Sequence, residues 1–446
     1  LWGLNVIATN NLVAGNLIGT DKTGSVDLGN GIDGINLSIG ANGNQIGAIG
    51  AGNVISGNEQ NGVFIQSDSN LVLGNRIGIN EAGTAAPGNT GNGVFVYGQS
   101  NSNTNNNIIG GTLVGSENII ANNGRGGIRI VARTGFQQTG NQIRRNQIFA
   151  NSELGIELSG PSPTPNDLSD SDTGPNNLQN FPDLTSAVVN GGQVTIVGRL
   201  NSIANTTYAI EFFANTTADP SGYGEGETFL GSANVTTDAG GNASFSTPLT
   251  ASNILGKFIS ATATNLTTND TSEFSLSTLT VTPAPVIDLD LNNSSGQTGS
   301  NFATTWTEDA GPKLIVDTDA TMTDPDTANL SSLTVTLTNR PDGLAESLDA
   351  NVSGTTITKT PYNSSTGVLL LSGSAPVSQY LQVLKTVSYN NASNTPTTTA
   401  RTITFVANDG VSNSNLATPP LTIVAANDAP VNSVPGAQTT NEDQAR

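Results

Sequence analysis

The residues of this chain best suited to chemistry are aspartates set two apart in a short, turn-rich stretch. In GPSPTPNDLSDSDTGPNNLQNFP, residues 160–182, Asp170, Asp172, Gly174 and Asn176 alternate as oxygen donors, with Asp167 near enough in sequence to join them. Side-chain oxygens at that spacing wrap a hard cation, so structural Ca2+ is the expected ligand. The spacing matches only part of a helix-loop-helix calcium loop, whose closing glutamate is missing. A solvated linker of mutually repelling carboxylates is the alternative.

Other chemistries are narrower. The chain holds no histidine and no cysteine, which removes zinc chemistry, Ser-His-Asp catalysis and thiol catalysis from its own repertoire. A polysaccharide hydrolase wants two or three converging carboxylates, and a lyase wants calcium-binding aspartates beside an Arg or Lys base. The first part of the chain offers Asp21, Asp27, Asp33, Asp68 and Glu81 as acids and Arg125, Arg129, Arg133, Arg144 and Arg145 as bases. No acid pair recurs there beside an arginine, and the arginines read as a solvated face or as contacts to the linker carboxylates. Phe64, Phe95 and Tyr97 lie in equivalent phrases. Facing outward they would stack on sugar rings; facing inward, the favoured expectation, they would stack in a core. Asn-x-Ser/Thr triplets at Asn205, Asn215, Asn234, Asn265 and Asn293 are glycan acceptors where that machinery exists, or chance in so Asn- and Thr-rich a chain.

Charge locates the acidic chemistry. The formal net charge is -20 over 446 residues; residues 1–159 carry nine acids and seven bases, the rest 26 acids and eight bases. A phosphate partner needs a basic stripe, so nucleic acid is excluded. Acidic excess suits solubility or divalent cations instead. No run of eighteen apolar residues occurs, so membrane insertion is not expected, and no signal peptide is visible ahead of a first residue that already reads as part of a coil.

The elements that must position these groups are written as repeats. NLVAGNLIG (Asn11 to Gly19) returns as NLVLGNRIG (Asn70 to Gly78), and NGVFI from Asn61 returns as NGVFV from Asn92. Units that cannot bury an apolar face alone stack on their neighbours, which predicts β-solenoid coils of roughly twenty residues. Single inward aliphatics alternate with corner asparagines, which tolerate left-handed backbone. Asn16, Asn53, Asn58, Asn75, Asn118 and Asn146 are expected to form ladders. Beyond the linker, alternating strands such as QVTIVGRL and TYAIEFFA, with DAGGN as a hairpin signal, predict a β-sandwich, and a second follows. The expected division is coils at 1–159, linker at 160–184, sandwiches at 185–281 and 282–427, and the first strand of an incomplete further repeat at 428–446.

NDLSDSDTGPNNLQNFP, EFFANTTADPSGYGEGETFLGS and the winding first half resemble large bacterial, notably cyanobacterial, extracellular proteins with right-handed parallel β-helix repeats and immunoglobulin-like domains. TEDAGP, TMTDPDTANLSSLTVTLTN, VANDG and AANDAPV resemble cadherin-like tandem repeats of bacterial surface proteins. The resemblance covers nearly the whole chain and implies an all-β fold: a right-handed parallel β-helix, then two β-sandwiches. It also implies calcium at Glu308, Asp309, Asp324, Asp326, Asp409, Asn427 and Asp428, the positions matching acidic phrases at cadherin-type junctions.

Both chain ends read as lying inside repeats, which predicts head-to-tail pairing of copies into a filament; a fragment of a longer protein explains the same ends. The leading expectation is therefore a non-enzymatic extracellular structural protein, a self-assembling fibre subunit at the cell surface. A calcium-dependent adhesin segment that binds surface glycans is second, and a polysaccharide lyase or hydrolase third.

Overall fold

A computed structural model describes residues 1–23, 26–83, 87–98, 103–132, 138–160 and 162–428. The expected strand at 428–446 therefore lies outside the described residues except for Asp428. The chain divides into two compact units, Leu1–Val281 and Thr282–Arg446.

The first unit opens as a parallel β-helix, because its short strands stack in register along three sheets. One sheet orders Leu4–Val6, Ile35–Leu37, Val63–Ile65, Val94–Tyr97, Ile128–Val131 and Ile156–Leu158; two five-strand sheets carry the rungs between them. Ile35 pairs with Val63, 28 residues on, and Val94 with Ile128, 34 on. The coils are thus longer than the twenty or so residues expected, since turns and loops between the short strands add length without adding rungs. Ile35, Ile46, Ile55, Val63, Val72, Ile77, Val94, Ile109, Ile120 and Ile128 are fully buried along the axis. Each such side chain contributes about 1.5–3 kcal/mol on burial.

Corner asparagines hold the coils in register. One ladder runs Asn16, Asn53, Asn75, Asn118, Asn146, each Oδ1 accepting the backbone N–H of the residue before it in that order. Asn58 belongs to a second ladder with Asn30, Asn89, Asn123 and Asn151. A third joins Asn11, Asn44, Asn70, Asn107 and Asn141. Glycine is required where corners nearly touch: at Gly78 (φ 84°) a Cβ would sit 2.0 Å from the Ala121 carbonyl oxygen, a clash on top of a left-handed backbone.

The same unit continues into seven strands ordered Thr228–Thr236, Thr207–Asn215, Phe258–Asn265, Thr278–Val281, Asp183–Asn190, Gln193–Asn201 and Asn242–Thr250. They close over Ile196, Tyr208, Ile210, Phe212, Phe245 and Ile259. Phe213 and Phe274 instead complete the apolar core of the β-helix, so the sandwich seals the solenoid's end.

The second unit packs a six-strand sheet, including Asn329–Leu337, Val368–Pro376 and Arg401–Asn408, with a three-strand and a two-strand sheet. Its core gathers Trp306, Met322, Tyr380, Tyr389 and Phe405. Inside it the fully buried Arg401 pairs with Glu346 and Asp342, and the Tyr389 hydroxyl donates to Glu346. The chain is all-β: a parallel β-helix followed by β-sandwich domains.

Candidate metal centres

Three sets of aspartates bring carboxylate oxygens within 4.8 Å of one another: Asp167, Asp170 and Asp172; Asp290, Asp317 and Asp319; and Asp324, Asp326 and Asp409. In the first, turns rich in positive φ (Ser169 62°, Asp170 55°) fold the linker back on itself. Asp170 accepts from the Ser202 hydroxyl and the Asn180 N–H, and Asp167 from the Ser171 N–H and hydroxyl. Burial pushes Asp170 up to about 6 against those hydrogen bonds, helped by the charges of Asp172 and Asp167. Asp172 Oδ1 is buried and meets no donor among the described residues. Crowded carboxylates of this kind relax when a cation supplies the missing positive charge.

Asn176, expected as a fourth donor, is elsewhere. Its Oδ1 accepts the Asn141 N–H at 3.1 Å and its amide donates to the Asn141 and Thr271 carbonyls. It is fully buried, with φ 46°, and forms the last rung of the third asparagine ladder. The sequence placed Asn176 among the cation donors because Asn serves as a corner bracket and as a metal donor with the same oxygen.

The third set unites Asp324 and Asp326 with Asp409, more than eighty residues on. Burial, then the hydrogen bond and charge of Asp324 and the charge of Asp409, lift Asp326 to about 6, while Thr327 and backbone N–H groups hold Asp324 low. Glu308, Asp309 and Asp428 belong to none of the three sets. Glu308 is buried beside the end of the last strand, its Oε2 accepting the Ala426 N–H at 2.8 Å and its Oε1 without a donor among the described residues. Asp309 projects into solvent from a left-handed turn (φ 62°), and Asp428 is exposed, its carbonyl accepting from the Asn427 amide.

The middle set was missed. Asp290 is fully buried and accepts from Ser294 and Ser295, which together outweigh the cost of its burial and hold it below the usual carboxylate range. Asp317 accepts from the Ser294 hydroxyl, and Asp319 Oδ1 is buried without a donor among the described residues. Its sequence signal is the pair of Asp-x-Asp phrases, Asp288-Leu289-Asp290 and Asp317-Thr318-Asp319.

The first unit uses carboxylates differently. At the last coil Glu211 accepts the Arg145 N–H and the Arg144 Nε–H, Glu225 accepts from Ala150 and Asn151, and Glu273 from Leu158 and Thr164. Asp270 and Thr271 take the N–H groups of Gly140 and Ile143, and Ile148 exchanges two hydrogen bonds with Gly226. Burial raises Glu211, and pushes Glu225 and Glu273 up to about 7, against those donors. Arg144 and Arg145 thus face the sandwich, not the linker carboxylates; Arg145 also lies 4.5 Å over the Phe229 ring. Arg129 pairs with buried Glu157, and Arg133 lies outside the described residues. A lone acid inside an apolar strand, as in Ala209-Ile210-Glu211-Phe212-Phe213, was the available signal for this joint.

Three of the acids proposed for polymer cleavage have local duties. Asp33 takes the Asn61 N–H and amide, Asp27 the Gly29 N–H, and Asp68 the Asn105 N–H. Phe64, Phe95 and Tyr97 stack at centroid distances of 5.2 and 5.7 Å. They alternate with the inward Val63, Ile65, Val94 and Val96, so they stand on the sheet face turned from the axis, where Phe64 is buried and Phe95 and Tyr97 are half-buried; the expected stacking holds, but not inside the solenoid's axial core. Among the described residues no helix is long and apolar enough to cross a membrane.

No family model matches the chain. A stretch of 106 residues, 23% of the chain, is 34% identical to Halomucin of Haloquadratum walsbyi (strain DSM 16790 / HBSQ001) and spans 1% of that protein's length. Among solved structures, the C-terminal domain of the Streptococcus agalactiae AgI/II polypeptide BspA aligns over 54% of this chain and 99% of its own, at 10% identity and a TM-score of 0.15. A mutant of the CFA/I enterotoxigenic E. coli adhesin CfaE aligns over 64% and 93%, at 14% identity and a TM-score of 0.17.

Proposed function

We propose that this chain is a non-enzymatic structural protein of the cell exterior, a β-solenoid rod with sandwich domains stiffened by calcium, and a self-assembling subunit of a surface fibre. The observation that carries this reading is the convergence of three aspartate sets in a chain of net charge -20. Such clusters repel while empty and rigidify when a divalent cation bridges them. Assembly takes its support from sheet geometry: Leu4–Val6, Leu12–Val13 and Leu17–Ile18 are edge strands, with Leu12 and Leu17 exposed. Edge strands offer backbone groups to which another copy can add strands head to tail.

A second reading, a calcium-dependent adhesin that holds surface glycans, draws on the outward aromatic stack of Phe64, Phe95 and Tyr97. Negative-stain electron microscopy of the purified chain, in millimolar-range calcium and then in chelator, separates the two. Uniform filaments that loosen on chelation are the expected result. Single particles in both conditions sink the fibre reading and leave the adhesin.

A further inference from the structure

A groove of about 690 Å³ runs along the β-helix, over the turns between its two five-strand sheets. One wall is the outward face of a single sheet, on which Leu17, Val54, Arg76, Ile119 and Gln147 occupy successive rungs in register. At a strand spacing of about 4.8 Å, five rungs span roughly 19 Å. Beneath it the turns approach closely at Gly52, where a Cβ would sit 1.6 Å from the Gly74 carbonyl oxygen. Glu117 and Glu81 also line the groove.

The charges in this groove are unspent. Arg76 Nε is buried and has no hydrogen-bond partner, and Arg76 forms no ion pair with Glu81 or Glu117 among the described residues. Glu117 uses one oxygen to accept the Gly115 N–H, leaving the other free among the described residues. A buried donor left without a partner is destabilising, so a ligand that satisfies it recovers that cost.

We infer that this groove binds a neutral, hydroxyl-rich polymer, a glycan chain laid along the solenoid axis. Sugar hydroxyls both donate and accept, which matches a wall presenting Arg and Gln donors beside Glu acceptors. Ile119, between Arg76 and Gln147, suits the C–H face of a sugar ring. A polyanion is disfavoured by the two glutamates and the net charge of -20. An extended peptide added as a strand is disfavoured too: Val54–Ile55, Arg76–Ile77 and Ile119–Ala121 are each paired on both sides, so a strand could add only at the two ends of the wall, across the groove and not along it. The site is distinct from the aromatic stack and lies in the first unit, apart from the two aspartate sets of the second.

The test is isothermal titration of the full chain with neutral hexasaccharides (β-1,4-glucan, β-1,3-glucan, α-1,4-glucan and β-1,4-mannan), with hexagalacturonate as the anionic comparison. Saturable binding of at least one neutral chain is expected, weakened tenfold or more by Arg76→Ala and by Glu117→Gln. Gln147→Ala, on the same open wall, provides a second variant should Arg76→Ala misfold. Phe95→Ala and chelator should leave the affinity unchanged, so loss of the calcium reading or of the aromatic reading does not remove this one. Failure of all four neutral chains to bind at ~1 mM, the weak end of specific affinity, overturns the inference. So does binding indifferent to all three groove variants, or preference for hexagalacturonate.

Discussion

Two regions of this molecule use the same functional group in opposite ways. At the end of the β-helix, Glu211, Glu225 and Glu273 are each met by two N–H groups of the solenoid side or its linker. In the aspartate clusters the nearest neighbours of each carboxylate include other carboxylates. The difference teaches that the joint meets its buried acids with N–H groups alone, whereas the cluster aspartates also face one another, the arrangement proposed above to take a cation. A parallel solenoid ends in a layer of unpaired N–H groups that cannot be left dry. Carboxylates on the next domain satisfy them as the next coil would.

The sharpest way to break this comparison is to empty the joint. Glu211→Ala leaves the Arg144 guanidinium and the Arg145 N–H buried without their acceptor, with an expected loss of about 3–5 kcal/mol. Urea unfolding of a variant keeping Trp2 and lacking Trp306 reads this in the first unit. A loss under about 1 kcal/mol, the scale of a surface pair, would show that the joint is wet.

The joint should also titrate. Glu273 has its folded-state pKa raised from 4.5 to about 7 by burial, so its share of stability is complete below about pH 4.5 and is lost as pH rises through 7. A shift of that size corresponds to about 3 kcal/mol. Glu225, raised alike, acts in the same window and direction. Unfolding of the first unit should therefore be hardest near pH 5, and Glu273→Gln should flatten the profile between 4.5 and 7. A stability that climbs across that interval contradicts the assignment.

Cation removal addresses the other region. At a hundredfold excess of Ca2+ over its Kd, the second unit should gain about 2.7 kcal/mol for each aspartate set that binds, seen through the buried Trp306 as a raised Tm. Asp317→Asn combined with Asp326→Asn should abolish the gain while leaving the first unit's transition in place. Equal Tm values in calcium and chelator would falsify the metal assignment.

The smallest expected effect lies inside the solenoid. Asn118→Ala removes the acceptor for the Asn75 N–H and the donor to the Val72 carbonyl, costing about 1–3 kcal/mol. Hydrogen exchange should rise first at the coils on either side. Uniform exchange along the rod would mean the ladder is not what ties neighbouring coils.

The sequence by itself determined the winding: isolated Ile and Val at strand spacing and asparagine at each corner fix a stacked all-β coil, because those patterns depend only on residues near one another in the chain. Asp167, Asp170 and Asp172 were legible for the same reason, as was the pairing of Asp324 with Asp326. Their union with Asp409, the meeting of Asp290 with Asp317 and Asp319, and the transfer of Asn176 from cation ligand to ladder rung were decided by tertiary structure. So were the outward stance of Phe64, Phe95 and Tyr97 and the pairing of Arg144 with Glu211. Each depends on which strands the fold sets side by side, and an oxygen's role is fixed only when the donors, cations or rival anions arriving from distant segments are in place.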